Sequence, residues 1–172
     1  HAHALGRHHA FQSQALQQFS TPIPLGFAAL TAAAIGPDDL VLEPSAGTGL
    51  LAILAEISGG SLILNELADT RADLLSSLFR ALSVTRFDAA QIHDHLDDGA
   101  IPSVVLMNPP FSAMANVTGK VQDAAFRHIA SALSRLAPGG RLVTITGAGF
   151  GADMPACMRT SRAGQGGITN DR

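Results

Sequence analysis

An apolar run, VVLM at 104–107, stops abruptly at Asn108-Pro109-Pro110-Phe111. Two consecutive prolines stiffen a turn, and a stiff turn fixes where the Asn108 amide and the Pro109 carbonyl point. Both oxygens can accept a hydrogen bond from one exocyclic amino group. Such an amine is a poor nucleophile because its lone pair is delocalised. Two aligned acceptors favour the positive charge that develops on its nitrogen during attack on an electrophile. Phe111 offers a π-face on which a base drawn out of its duplex would stack.

A second chemical stretch is VLEPSAGTGLLA at 41–52. Gly47 and Gly49 stand where a strand must turn into a helix, and without Cβ atoms they let a ligand lie against the backbone. The helix start offers free N–H groups to an anion. As G-x-G-x-x-A, with Glu66 seventeen residues after Gly49 and placed to hold a ribose diol, the stretch also fits a dinucleotide-binding turn. Glu43, directly before the loop, narrows the ligand: its carboxylate repels a pyrophosphate and attracts an ammonium or sulfonium group.

The elements that must hold these residues are short Val/Ile/Leu-rich runs at 40–44, 61–65, 89–93, 103–107 and 141–146, alternating with helical stretches. Helices are predicted at 10–19, 24–35, 49–58, 69–82 and 120–137. Gly36-Pro37 closes the second, and Pro138-Gly139-Gly140 the last. Asp69 is expected to cap the helix that begins with it, and Leu74, Leu75, Leu78, Phe79 and Leu82 to share its inner face. The plan is α/β, a doubly wound, mostly parallel Rossmann-like sheet with ligands at its carboxyl edge.

With that plan, the loop at 41–52 resembles motif I of class I S-adenosylmethionine-dependent methyltransferases. The resemblance implies that Glu43, Pro44, Ser45, Ala46, Gly47 and Gly49 surround the methionine end of S-adenosylmethionine, that Glu66 binds its ribose, and that Asp94, after the third strand, meets its adenine. Asp97 and Asp98 compete with Asp94 for that last role, or simply solvate a loop. Asn108-Pro109-Pro110-Phe111 resembles the [D/N/S]-P-P-[Y/F/W] motif of amino-methyltransferases acting on adenine N6, cytosine N4 or a glutamine amide. Phe19, Thr21 and Pro22, in QQFSTPIPLG at 17–26, resemble the F-x-T-P segment of DNA adenine-N6 methyltransferases, which closes over the cofactor. Ser20-Thr21-Pro22 also reads as a plain helix start. The style of residues 17–148 is similar to methylase segments joined to strawberry-notch-like helicases. The expected activity is methyl transfer to adenine N6 in DNA, with Asn108, Pro109, Pro110 and Phe111 catalytic and Asn108 also near the cofactor. RNA and protein-glutamine targets are the neighbouring options.

Composition bounds this reading. The 172 residues are 47% hydrophobic and 15% charged, enough for one compact domain. The formal charge of −3 provides no basic field, so DNA contact is expected through regions outside this chain, such as a helicase or target-recognition domain. A single cysteine, Cys157, excludes an internal disulfide, and without a Pro-Cys motif a cytosine-C5 mechanism does not fit. No apolar run reaches membrane-spanning length, and a cytoplasmic setting is expected.

Three segments stand apart from the core plan. Residues 1–9 read as a disordered or tag-like start and 149–172 as an irregular tail, which leaves 10–148 as the cofactor-binding domain, without the family's usual final antiparallel strands. Residues 112–120 are expected to form either a mobile loop over the target or a plain surface loop. No metal is expected: His93 and His95 would face opposite sides of a strand, and His128 a helix surface. Two other classes fit part of the pattern: a cofactor-binding module without catalysis, and a nicotinamide oxidoreductase, which leaves Glu43 and the proline turn unexplained.

Overall fold

The computed structural model describes residues 20–109 and 122–146. Phe19, Pro110, Phe111, the helix expected at 10–19, the loop at 112–120 and the tail lie outside the described residues.

Five strands form one all-parallel sheet: β1 (Leu40–Glu43), β2 (Ser61–Asn65), β3 (Val84–Thr85), β4 (Val104–Met107) and β5 (Arg141–Thr144), in the order β3-β2-β1-β4-β5. The order reverses between β1 and β4, where the chain crosses from one half of the sheet to the other, and open sheets of this type bind ligands beside that point. The helices are α1 (Ile23–Ala33), α2 (Leu50–Ile57), α3 (Asp69–Leu78), α4 (Ile92–His95) and α5 (Gln122–Leu133). None of the described helices is long and apolar enough to cross a membrane.

The central strands explain why the apolar runs are continuous instead of alternating. Val104 and Leu106 of β4 face a cluster with Val41, Leu64, Ala33 of α1, Leu51 and Ala55 of α2, and Leu75. Val105 and Met107 face the other side with Leu42, Ile92, Ile129 and Ala132. Both faces are covered, so every position of β4 must be apolar. The opposite, amino edge of the sheet is clamped by polar groups. Asp39 accepts from the Ser103 hydroxyl at 2.7 Å and from Arg141 Nη2 at 2.6 Å, while Ser103 Oγ accepts the Leu40 amide at 3.1 Å.

Four expectations are corrected. The third strand is not at 89–93 but at the β-branched pair Val84-Thr85. Asp88 accepts the Ala90 N–H at 2.9 Å and so starts a 3₁₀ turn, Ala89–Gln91, that leads into α4. The cap of α3 is Ala68, in extended conformation; Asp69 is the first helical residue and pairs instead with Arg86, as does Asp73. Ala72, Leu75 and Phe79 form the inner face of α3, while Leu74 and Leu78 are exposed, Leu74 standing about 100° round the helix from Leu75. Finally, α1 closes at Ala34, in the left-handed region at φ 46°, ahead of Gly36-Pro37; Arg141 Nε, donating to the Ala33 carbonyl at 2.8 Å, satisfies that helix end.

Candidate functional site

Four strands deliver polar residues to the carboxyl edge of the sheet: Glu43 ends β1, Asn65 ends β2 with Glu66 following, Asp88 lies three residues beyond β3, and Asn108 follows β4. Between β1 and α2 the chain turns through Pro44, Ser45, Ala46, Gly47, Thr48 and Gly49. Gly47 and Gly49 adopt φ of 60° and 87°, where a side chain is strained. A Cβ on Gly49 would also sit 2.9 Å from Leu75 Cδ2, so α3 packs against the turn only because that atom is missing. Gly47 leaves the opposite surface of the turn open, with Arg71 Nη1 the nearest atom, 3.5 Å from where its Cβ would stand.

Two carboxyl groups flank the turn. Glu66 binds it directly: Oε2 accepts the Gly47 N–H at 2.8 Å and Oε1 the Ala68 N–H at 2.9 Å, which leaves further lone pairs on both oxygens for ribose hydroxyls. Glu43 is almost wholly buried. Its carboxyl group accepts the Ala52 N–H, one of the amides at the start of α2 that the helix itself cannot satisfy. Its Oε2 has no partner among the described residues. Burial, and next the nearby Glu66 charge, hold this carboxyl group well above the usual carboxylate range. An ammonium or sulfonium placed here would provide the missing partner. The residues therefore fit S-adenosylmethionine: a buried acceptor without a donor, an open glycine turn, and a second acid one strand away. Leu67, half exposed beside Glu66, adds an apolar surface.

Asn108 lies close to the start of α1. Its Nδ2 donates to Thr21 Oγ1 at 3.0 Å, and its buried Oδ1 accepts nothing among the described residues. Pro22 is the extended N-cap of α1, and its carbonyl accepts the Gly26 N–H at 3.0 Å. The F-x-T-P and N-P-P-F stretches, which the sequence suggested separately, thus meet at Thr21 and Asn108. Pro109 follows, buried.

Asp94 is not part of this edge. It lies on α4, largely exposed, 3.2 Å from His93 Nε2. The acid at the β3 exit is Asp88, which sequence reasoning missed because it placed the third strand too late. A β-branched pair followed by an Asp-x-Ala start of a helical turn was the available signal. The histidines are also corrected. His93 faces Ser131, His95 stacks on Phe87 with ring centres 4.0 Å apart, and His128 is mostly buried with Nε2 3.8 Å from Asp88 Oδ1.

The sequence model of the methyltransferase small domain family matches residues 29–159, about three-quarters of the chain. Among curated proteins no sequence matches. Solved structures with a similar fold include TrmN from Thermus thermophilus (23% identity, TM-score 0.60, covering 77% of this chain and 41% of that one). The EcoKI M protein of a type I restriction enzyme is also similar (19% identity, TM-score 0.55, covering 74% and 34%). So is a precorrin 8w decarboxylase from Methanobacterium thermoautotrophicum (14% identity, TM-score 0.57, covering 83% and 73%). This chain therefore spans less than half the length of the first two.

Proposed function

We propose, from the premise that this chain belongs to the methyltransferase small domain family, that it transfers a methyl group from S-adenosylmethionine to an exocyclic amino nitrogen, adenine N6 in DNA. The observation that carries the reading is the Asn108 carboxamide at the β4 exit: its nitrogen is tied to Thr21, and its oxygen has no donor among the described residues.

The bound cofactor supplies an electrophilic methyl group on a cationic sulfur. Glu43 Oε2 would receive the ammonium of its methionine part, the open surface at Gly47 would leave room for it beside the turn, and Glu66 would hold the ribose hydroxyls. Asp88, at the β3 exit, takes the adenine-side role first expected of Asp94. At the target, Asn108 Oδ1 and the Pro109 carbonyl would accept hydrogen bonds from the two N–H groups of the amine, which turns its lone pair toward the methyl carbon. With the methyl group passed to the amine nitrogen, the sulfur would leave as a neutral thioether, and the surplus N–H proton, directed by Asn108 Oδ1 or the Pro109 carbonyl, would pass to solvent. The chain forms no covalent intermediate. Phe111, next in the motif, would stack on the extruded base.

A restriction-enzyme M protein among the similar folds agrees with a DNA target. The net charge of −3 favours a nucleic acid held mainly by contacts outside this chain, such as those of a helicase or target-recognition domain. The test is calorimetric titration with S-adenosylmethionine and S-adenosylhomocysteine, followed by transfer of labelled methyl to duplex DNA, single-stranded DNA, RNA and protein. Label recovered as N6-methyladenine in DNA is the expected result. Label found only in RNA or protein would overturn the DNA assignment, and failure to bind either ligand would overturn the cofactor assignment.

A further inference from the structure

We infer that the Asn65 carboxamide is a positioning strut that fixes the distance between the two walls of the cofactor cleft, the glycine turn after β1 and the loop after β3. This rests on the cofactor reading above.

Asn65 is completely buried at the end of β2, between those two loops. Nδ2 donates to the Pro44 carbonyl on one side and to the Phe87 carbonyl on the other, both at 2.9 Å. Oδ1 accepts the Phe87 N–H at 2.9 Å and the Thr85 hydroxyl at 2.8 Å. Two donors meet two carbonyls and the oxygen meets two hydrogens, so the amide has one orientation and no unused capacity. The residue's own carbonyl also accepts the Ala46 N–H at 2.9 Å. With Glu66 holding Gly47, two consecutive residues secure positions 44, 46 and 47 of the turn.

The far ends of this network adjoin residues assigned to the ligand. Pro44 follows Glu43, and Phe87 precedes Asp88. A small apolar residue at 65 could preserve the strand, but it would leave the Pro44 and Phe87 carbonyls without their donor and the two walls without a common reference. Satisfied buried networks of this kind specify a single arrangement of what they connect. Asn65 touches no reacting atom; it acts through the turn and the loop it spaces.

The experiment titrates S-adenosylhomocysteine into the full chain by calorimetry, well below each variant's melting midpoint. The variants are Asn65→Ala, Asn65→Asp, the milder Thr85→Val, and Ser103→Ala as a control. Asn65→Asp keeps the shape and the acceptor but removes both donated bonds. Ser103→Ala breaks the clamp at the opposite edge of the same sheet, so it costs stability without touching the cleft. Expected are a loss of about tenfold or more in affinity for both Asn65 variants, a few-fold loss for Thr85→Val, and for Ser103→Ala an affinity unchanged despite a lower melting midpoint. If the Asn65 variants do not fold, Thr85→Val against Ser103→Ala decides. The strut is overturned if the cleft variants bind like the parent, or if Ser103→Ala loses affinity equally. A parent chain that does not bind would instead overturn the cofactor reading on which the strut depends.

Discussion

The Asn108 amide reaches across 87 positions of sequence to donate to the Thr21 hydroxyl at 3.0 Å. One hydrogen bond thus joins the start of α1 to the end of the inner strand β4 and determines which atom of the amide is left over. A carboxamide free to rotate would present nitrogen and oxygen to a target about equally often; with its nitrogen tied to Thr21, it presents oxygen. A buried acceptor without a donor is a cost of about 1–3 kcal/mol, which an incoming amine would remove.

Removing the acceptor should therefore affect the reaction more than the cofactor. Asn108→Ala is expected to lower methyl transfer by about a hundredfold or more, the scale for losing a group that stabilises developing charge, with S-adenosylhomocysteine affinity unchanged within a few-fold. Thr21→Val leaves Asn108 in place but untied and should slow transfer by about tenfold, while Thr21→Ser restores it. Single-turnover rates alongside calorimetry separate the two effects. Full activity in Asn108→Ala would end the acceptor role.

Glu43 should link cofactor binding to pH. Its carboxyl group is buried beside Glu66, with the Ala52 N–H alone among the described residues to stabilise the charged form, and its pKa lies well above the ordinary 4.5. In the free chain the folded form therefore holds the proton at pH values where the unfolded form has released it. Stability from this group is complete below pH 4.5 and declines as pH rises toward the folded pKa. A cationic ligand favours the carboxylate, so binding should release a proton and tighten as pH rises. Glu43→Gln should remove that slope, raise the melting midpoint of the free chain at neutral pH and weaken cofactor binding. Titration in buffers of different ionisation enthalpy reads the proton directly; a proton count of zero across pH 5–8 would contradict the linkage.

Gly49 should tolerate no side chain. Gly49→Ala places a Cβ at φ 87° and 2.9 Å from Leu75 Cδ2. The backbone strain and the overpacking together are expected to cost about 2–4 kcal/mol, measured by denaturant unfolding. Cofactor affinity should fall as well, since α3 would be pushed away from the turn. Gly36→Ala is the comparison, since a Cβ there meets nothing within 4 Å.

The parts of the molecule visible in the sequence were those with a period or a stop. β2 was read with its ends at 61 and 65, and the burial of β4 on both faces followed from a run with no polar residue. The places of Glu43, Gly47 and Glu66 about the turn after β1 were legible because a strand that turns into a helix at glycines leaves a recognisable spacing. What was missed depends on contacts between segments far apart in the chain. Asn65 reads as the polar end of a strand, and only the approach of Pro44 and Phe87 turns it into a spacer. Asp88 was hidden because β3 is two residues long, too short to carry an alternation. The same error put His93 on a strand and Asp94 at its exit, while Asp88 had already committed the chain to a helical turn.

His128 supplies an acid-sensitive contact beside that loop. Burial lowers its pKa below the ordinary 6.5, the attraction of Asp88 opposes the shift only in part, and its Nδ1 has no partner among the described residues. As pH falls through 6.5 the unfolded chain takes up the proton before the folded chain does, so this group destabilises the fold progressively until the pH drops below its folded pKa. Glu43, whose pKa is displaced upward, acts in the opposite direction, so the melting midpoint of the parent alone reports the sum of the two. The difference between parent and His128→Leu isolates the histidine. From pH 7.5 to 5.5 the variant should gain stability relative to the parent, and an unchanging difference would mean that His128 is protonated alike in the folded and unfolded chain.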